Sequence, residues 1–148
     1  MMTGAADGVF LDTNVLVYAN VASSPLHQRS LEAMQSYVGT GTTLWISRQV
    51  LREYLAAVTL PQVFSTPVTP REALTRVRYF QSHFRIAEDG PEVTERLLAL
   101  VEQIPIGGKQ IHDANIVATM QAHALSHLPT HNTADFARFT HLITVVPL

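Results

Sequence analysis

The segment Val9-Phe-Leu-Asp-Thr-Asn-Val-Leu-Val-Tyr-Ala19 sets one carboxylate inside an otherwise apolar run. An ionised carboxylate is costly to bury unless something pairs with it. The chain must therefore fold with Asp12 at the edge of its core, where a cap, a cation or water can meet the charge. Taken alone, Asp12 is served equally well by an Asx turn or a helix cap. The pattern around it decides more. Short apolar runs alternate with longer helical patterns along the chain, which predicts a parallel α/β sheet. Val9 to Leu11 reads as the first buried strand, ending at Asp12.

The remaining segments follow the same logic. Ser24-Pro25 supplies a cap and a first-turn proline for a helix carrying Leu31, Met34 and Val38. Thr43 to Ile46 is a short strand. Ser47 caps the next helix, whose apolar face is Val50, Leu51, Tyr54, Leu55 and Val58. Leu60 to Val68 carries two prolines and reads as a loop. Thr69-Pro-Arg-Glu72 is a capping box, followed by Ala73, Val77, Phe80 and Phe84 at helical spacing. Phe84 to Ala87 is a candidate third strand. Pro91 opens a helix with Val93, Leu97, Val101 and Ile104, stopped by Pro105 and Gly107-Gly108. From His112 to Leu125 the apolar and small residues cover most of a helix's circumference, so that helix is expected to be buried on nearly all sides. Strands at Leu128 to Thr130 and Leu142 to Val146 complete the set. Pro129 is awkward in the first of these, because it cannot donate a ladder hydrogen bond.

Composition sets the outer bounds. At 148 residues the chain is long enough for one domain with a real core, and 47% hydrophobic against 15% charged residues excludes a disordered chain. The low charge suggests that a partner or a second copy covers some apolar surface. No apolar run approaches the roughly 20 residues of a membrane span. Residues 1–8 lack the basic and apolar regions of a signal peptide and read as a loose leader. Zero cysteines exclude disulfides, thiolate metal sites and Cys nucleophiles, and agree with a reducing cytoplasm. The net charge of −2 does not announce a nucleic-acid binder, although all basic residues but Lys109 are Arg, whose fork matches phosphate.

The acidic residues divide by context. Asp7, Glu32, Glu72, Glu88, Asp89, Glu92, Glu95 and Glu102 lie where solvent or a helix dipole accounts for them, with Glu88 placed near the end of a strand. Asp12, Glu53, Asp113 and Asp135 differ. Asp12 ends a buried strand, and Glu53 falls at the margin of an apolar helix face. Asp113 starts the almost wholly apolar helix, and Asp135 follows the last-but-one strand. In a parallel α/β sheet, strand ends and helix starts converge on one edge, where ligands bind. Carboxylates gathered there repel one another unless a cation neutralises them. All-oxygen ligation suits Mg²⁺ or Mn²⁺, and a hard cation can activate water and stabilise charge on a phosphoryl oxygen.

Four stretches then carry a resemblance. Asp12-Thr-Asn-Val-Leu16, Val50-Leu-Arg-Glu-Tyr54, Ile111-His-Asp-Ala-Asn-Ile116 and Thr130-His-Asn-Thr-Ala-Asp-Phe136 resemble, in order, the four acidic motifs of PIN-domain nucleases, most of all the VapC-type toxins of toxin–antitoxin modules. The resemblance covers residues 9–148 as a single domain. It implies a three-layer α/β/α sandwich with a central, mostly parallel sheet of about five strands. It further implies Mg²⁺- or Mn²⁺-dependent cleavage of RNA, frequent homodimers, and neutralisation by a small antitoxin protein. Carried over by position, Asp12, Glu53, Asp113 and Asp135 become the catalytic, metal-binding acids. Asn14, Thr130 and Asn132 match polar positions that support the acids or touch substrate. Pro129 departs from the usual apolar, β-branched run before Thr130, which bears on how Asp135 is aimed.

Two other readings compete. A haloacid-dehalogenase-type phosphatase also opens with an Asp-terminated strand, but needs an acid two residues later, where this chain has Asn14. A non-catalytic RNA-binding PIN domain would have lost acids that are all present here. His112 is a candidate proton donor beside Asp113, or simply a helix-start residue facing solvent. Arg48, Arg52 and Lys109 are open to phosphate contact or to a surface-charge role. His123, His127 and His131 fall four apart, but Pro129 breaks any helix that would join them.

Overall fold

The structure, a computed structural model, describes residues 8–60 and 68–148. The leader up to Asp7 and most of the expected Leu60–Val68 loop lie outside the described residues. Gly8, read as the end of the leader, is the first residue of strand β1 (Gly8–Phe10). Strand β2 (Thr43–Ile46) pairs with it in parallel, with Val9 opposite Leu44, and β3 (Arg85–Ile86) extends the ladder on the far side of β2. Strands β4 (His127–Thr130) and β5 (Thr144–Pro147) form a second parallel ladder, with Pro129 opposite Val146. All pairings are parallel, as the alternating pattern predicts.

Among the described residues the five strands divide three and two, and Pro129 gives the physical reason. In a strand, a residue's N–H and C=O point to the same side. The Pro129 carbonyl accepts from the Asp12 N–H at 3.3 Å, so its missing N–H lies on the β1 side. The proline thus deletes the donor that would have bound β4 to β1 at this level. The irregularity foreseen at Pro129 is confined to that seam. Strand β4 itself forms, with Leu128 and Thr130 fully buried.

Among the described residues, six α-helices pack on and around the strands. Helix α1 (Thr13–Ala19) is not marked by the sequence pattern; α2 (His27–Gly39), α3 (Arg48–Val58), α4 (Pro70–His83), α5 (Pro91–Gln103) and α6 (Gln110–Ala122) are. Helix α1 packs against α2 and α3, α3 against α4, and α5 against α6. Caps behave as read: the Ser47 hydroxyl accepts from the Val50 N–H at 3.3 Å, and the Thr69–Glu72 capping box is complete with Pro70 at the first position. Helix α2 starts later than Ser24-Pro25 suggested, since those residues form the turn before it and Leu26 is its cap. Its apolar residues reach the core only in part, with Met34 and Tyr37 half-buried against it. Val38 is 65% exposed, and Leu31 and Met34 line, with Tyr79 and Phe84, an apolar cavity of about 680 Å³.

The core runs along the strands into α1, α3 and α6. Phe10, Leu11, Leu16, Ile46, Val50, Tyr54, Ile116, Met120 and Leu128 are fully buried or nearly so. Each such Leu or Ile contributes about 2 kcal/mol on leaving water. Helix α6 is buried from Ala114 through Met120 apart from Asn115, as its sequence predicts. A 3₁₀ helix (Thr133–Phe139) sends Phe136 and Phe139 into the same core. Among the described residues no helix is long and apolar enough to cross a membrane.

One contact pins β1 to β2. A Cβ at Gly8 would stand 2.5 Å from the Thr43 carbonyl oxygen and 2.6 Å from the Trp45 ring. Only glycine fits there without moving the adjacent strand. Gly8→Ala should therefore lower stability by about 1–3 kcal/mol through overpacking, measured by urea unfolding. An unchanged midpoint would show that β1 has room to shift.

Candidate active site

The carboxylates singled out by the sequence come from four different elements and meet at one cavity of about 310 Å³. Asp12 stands between β1 and α1, Glu53 in the second turn of α3, and Asp113 in the first turn of α6. Asp135 is not at a strand end as expected. It lies inside the 3₁₀ helix that follows β4, and that helix turns it back to the cavity. Thr13, Asn14, Val17, Tyr18, Ala57 and Asn132 complete the lining.

Asp12 carries two duties at once. Its carboxylate caps α1, with Oδ1 accepting from the Thr13 N–H at 2.8 Å. Its Oδ2 accepts from Thr130 Oγ1 at 2.8 Å and from Asn14 Nδ2 at 3.0 Å. Thr130, itself fully buried, also accepts from Asn14 Nδ2 at 3.1 Å and from the Asn132 N–H at 2.9 Å. Asn14 completes its own set by accepting the His131 N–H at 3.0 Å. Asn14 and Thr130 thus act as supports that hold Asp12 in place, and their polar groups are spent on that task. Asn132 differs: its backbone braces Thr130, while its residue is exposed on the cavity wall.

Glu53 is held from both sides. Thr13 Oγ1 donates to its Oε1 at 2.6 Å, and Gln49 Nε2 donates to its Oε2 at 3.0 Å. Thr13, Gln49 and Asn115 are functional neighbours that the sequence reading did not assign. For Gln49 the signal was available, because residues four apart on a helix face each other.

The electrostatics are those of an unneutralised acidic cluster. Burial pushes the Asp12 carboxyl up to about 6, against donors from Thr130, Thr13 and Asn14 that pull it down, with Glu53 adding to the rise. Asp113 is also raised to about 6, first by burial and then by the charges of Asp135, Asp12 and Glu53. No Lys or Arg lines the cavity among the described residues. Arg48 is engaged elsewhere, in a two-pronged pair with Glu88 at 2.8 Å for each bond, and neither residue reaches the cavity. Arg52, Lys109 and His112 are exposed and absent from the lining. Among the described residues, no three His, Asp or Glu side chains are already drawn into a metal-holding cage. The donor set fits a hard divalent cation: oxygen only, from four elements, with unbalanced negative charge.

A stability consequence follows from the raised carboxyls. Between pH 3.8 and about 6 the folded chain binds more protons at Asp12 and Asp113 than the unfolded chain. Their contribution therefore falls as pH rises through that window and is fully unfavourable at neutral pH. For buried Asp12 the cost is roughly 3 kcal/mol. In EDTA, the melting-temperature advantage of Asp113→Asn over the native chain should grow as pH rises from about 4 to 7. A pH-independent difference would contradict the clustered charges.

With this geometry in view, relatives can be placed beside the chain. The family model described as "PIN domain" matches residues 9–142. Ribonuclease VapC48 of Mycobacterium tuberculosis is 25% identical, over 86% of this chain and 89% of its own length. A toxin–antitoxin complex from Klebsiella pneumoniae superposes with a TM-score of 0.65 at 24% identity, covering 94% of this chain and 96% of the other. VapBC2 of Rickettsia felis, solved bound to a DNA fragment from its promoter, gives a TM-score of 0.65 at 20% identity, covering 95% and 98%. The match spans nearly every described element, from β1 to the end of the 3₁₀ helix, and takes in all four carboxylates: this chain belongs to the PIN-domain family.

Proposed function

We propose that this chain is a metal-dependent endoribonuclease, the toxin of a toxin–antitoxin module, that hydrolyses RNA phosphodiester bonds. The observation that carries the reading is the convergence of Asp12, Glu53, Asp113 and Asp135 on one cavity that no Lys or Arg among the described residues lines. It also weighs against a non-catalytic PIN domain, in which the acids would have no reason to remain together. The ribonuclease name of the Mycobacterium relative supports RNA as substrate, and the toxin–antitoxin complexes support an antitoxin partner.

Asp12, Asp113 and Asp135 would hold Mg²⁺ or Mn²⁺, with Glu53 completing the set directly or through water. A hard cation bound there supplies charge for a phosphoryl oxygen and acidifies water. The protein's own contribution is orientation. Thr130 and Asn14 fix Asp12, Thr13 and Gln49 fix Glu53, and the first turn of α6 offers Asp113. Asn132, exposed on the cavity wall, would be the polar side chain that meets the substrate. The apolar cavity between α2 and α4, and exposed Leu74, Tyr79, Leu98 and Val101, support a protein partner and a homodimer.

Labelled single-stranded RNA with Mn²⁺ should be cut by the native chain. Loss of outer partners of a metal ligand typically costs 10–100-fold. Asp12→Ala and Asp113→Ala, which remove ligands themselves, should therefore lose on the order of 100-fold or more. RNA binding that persists unchanged in EDTA, with no cleavage under any divalent ion, would instead support the non-catalytic reading.

A further inference from the structure

We infer that Gln49 is a positioning residue of the acidic cavity, its side-chain amide setting the separation between Glu53 on α3 and Asp113 on α6. The inference rests on the metal-nuclease reading above and deepens it. Gln49 is only 6% exposed, unusual for a glutamine on a helix, and every polar atom of its side chain is used. Nε2 donates to Glu53 Oε2 at 3.0 Å and to the His112 carbonyl at 2.8 Å. Oε1 accepts from Asn115 Nδ2 at 2.8 Å. The amide's orientation is set by these partners, with two acceptors at one end and a donor at the other.

The His112 carbonyl belongs to the peptide bond that leads into Asp113. The Gln49 bond therefore ties the start of α6, one residue from a carboxylate, to the helix carrying another. Asn115 is itself anchored, donating its second N–H to Asp89 Oδ2 at 3.1 Å. The result is a continuous chain: Asp89, Asn115, Gln49, Glu53 and then Thr13, which adjoins Asp12. Glu53 is thereby gripped on both oxygens, so it cannot swing away from its neighbours to relieve repulsion. Partners of this kind tune the geometry and affinity of a metal site without touching the ion.

A residue that merely joined two helices would change stability alone. A positioning residue changes cation affinity in a chain that still folds. Gln49→Leu keeps most of the volume and removes all three hydrogen bonds. Asn115→Ala, at a partly buried position, leaves both Gln49 donors in place but frees the amide to rotate. Mn²⁺ binding to the native chain and both variants is measured by electron paramagnetic resonance of free Mn²⁺, with melting temperatures in EDTA reporting the fold. Gln49→Leu should bind Mn²⁺ roughly 10–100-fold more weakly, and Asn115→Ala more weakly by a smaller factor. If Gln49→Leu does not fold, weakened binding by folded Asn115→Ala supports the proposal and native-like binding overturns it. Native-like Mn²⁺ affinity in folded Gln49→Leu would overturn the positioning role while leaving the nuclease reading intact. Absence of Mn²⁺ binding by the native chain would overturn that reading, and the positioning role with it.

Discussion

Repulsion between carboxylates organises this molecule around its cavity. Asp12 is buried, Asp113 feels three other acids, and both are held well above the ordinary carboxylate range. A fold gains nothing in stability from such an arrangement, since each uncompensated charge lowers it at neutral pH. The surrounding hydrogen bonds keep the carboxylates aimed despite that cost. Three donors converge on Asp12, and two on Glu53, so the side chains cannot relax into solvent. Destabilised, over-determined groups of this kind mark functional sites, where stability is given up for a task.

The backbone supplies the means. Parallel strands end on one edge of the sheet, and after each of β1 to β4 the chain goes on into a helix. Asp12 exploits that turn twice, since it ends the first strand's run and also caps α1. Asp135 reaches the cavity by a different route, through a 3₁₀ helix whose Phe136 and Phe139 are rooted in the core. That anchoring aims Asp135 in spite of Pro129, whose effect stays at the seam between the two ladders.

Much of this was legible in the amino-acid order. The strand at Thr43–Ile46, the caps at Ser47 and Thr69, and the buried helix after His112 follow from capping chemistry and periodicity alone. The four acids were legible only as a set, because each alone has an ordinary explanation, whereas strand ends and helix starts of a parallel sheet bring all four to one edge. Helix α1 was hidden because the stretch after the strand end at Asp12, Val15 to Ala19, is too short and too uniformly apolar to show a helical period. The surroundings of α2 are legible only in part. Helical spacing marks a face that leaves water, but cannot say whether it meets the core or a groove; here Ser30 is buried while Val38 is exposed. Gln49 and Thr13 escaped notice because neutral side chains carry no charge that demands an explanation until their partners are in place.

The central claim is that the four acids share a cation, and locating that cation tests it most directly. Crystals soaked in Mn²⁺ and recorded at its absorption edge should show an anomalous peak in the cavity, within bonding distance of Asp12, Asp113 or Asp135 oxygens. Under the same soak, a peak-free cavity whose carboxylates stay spread, or Mn²⁺ found only at other surface acids, would contradict the account.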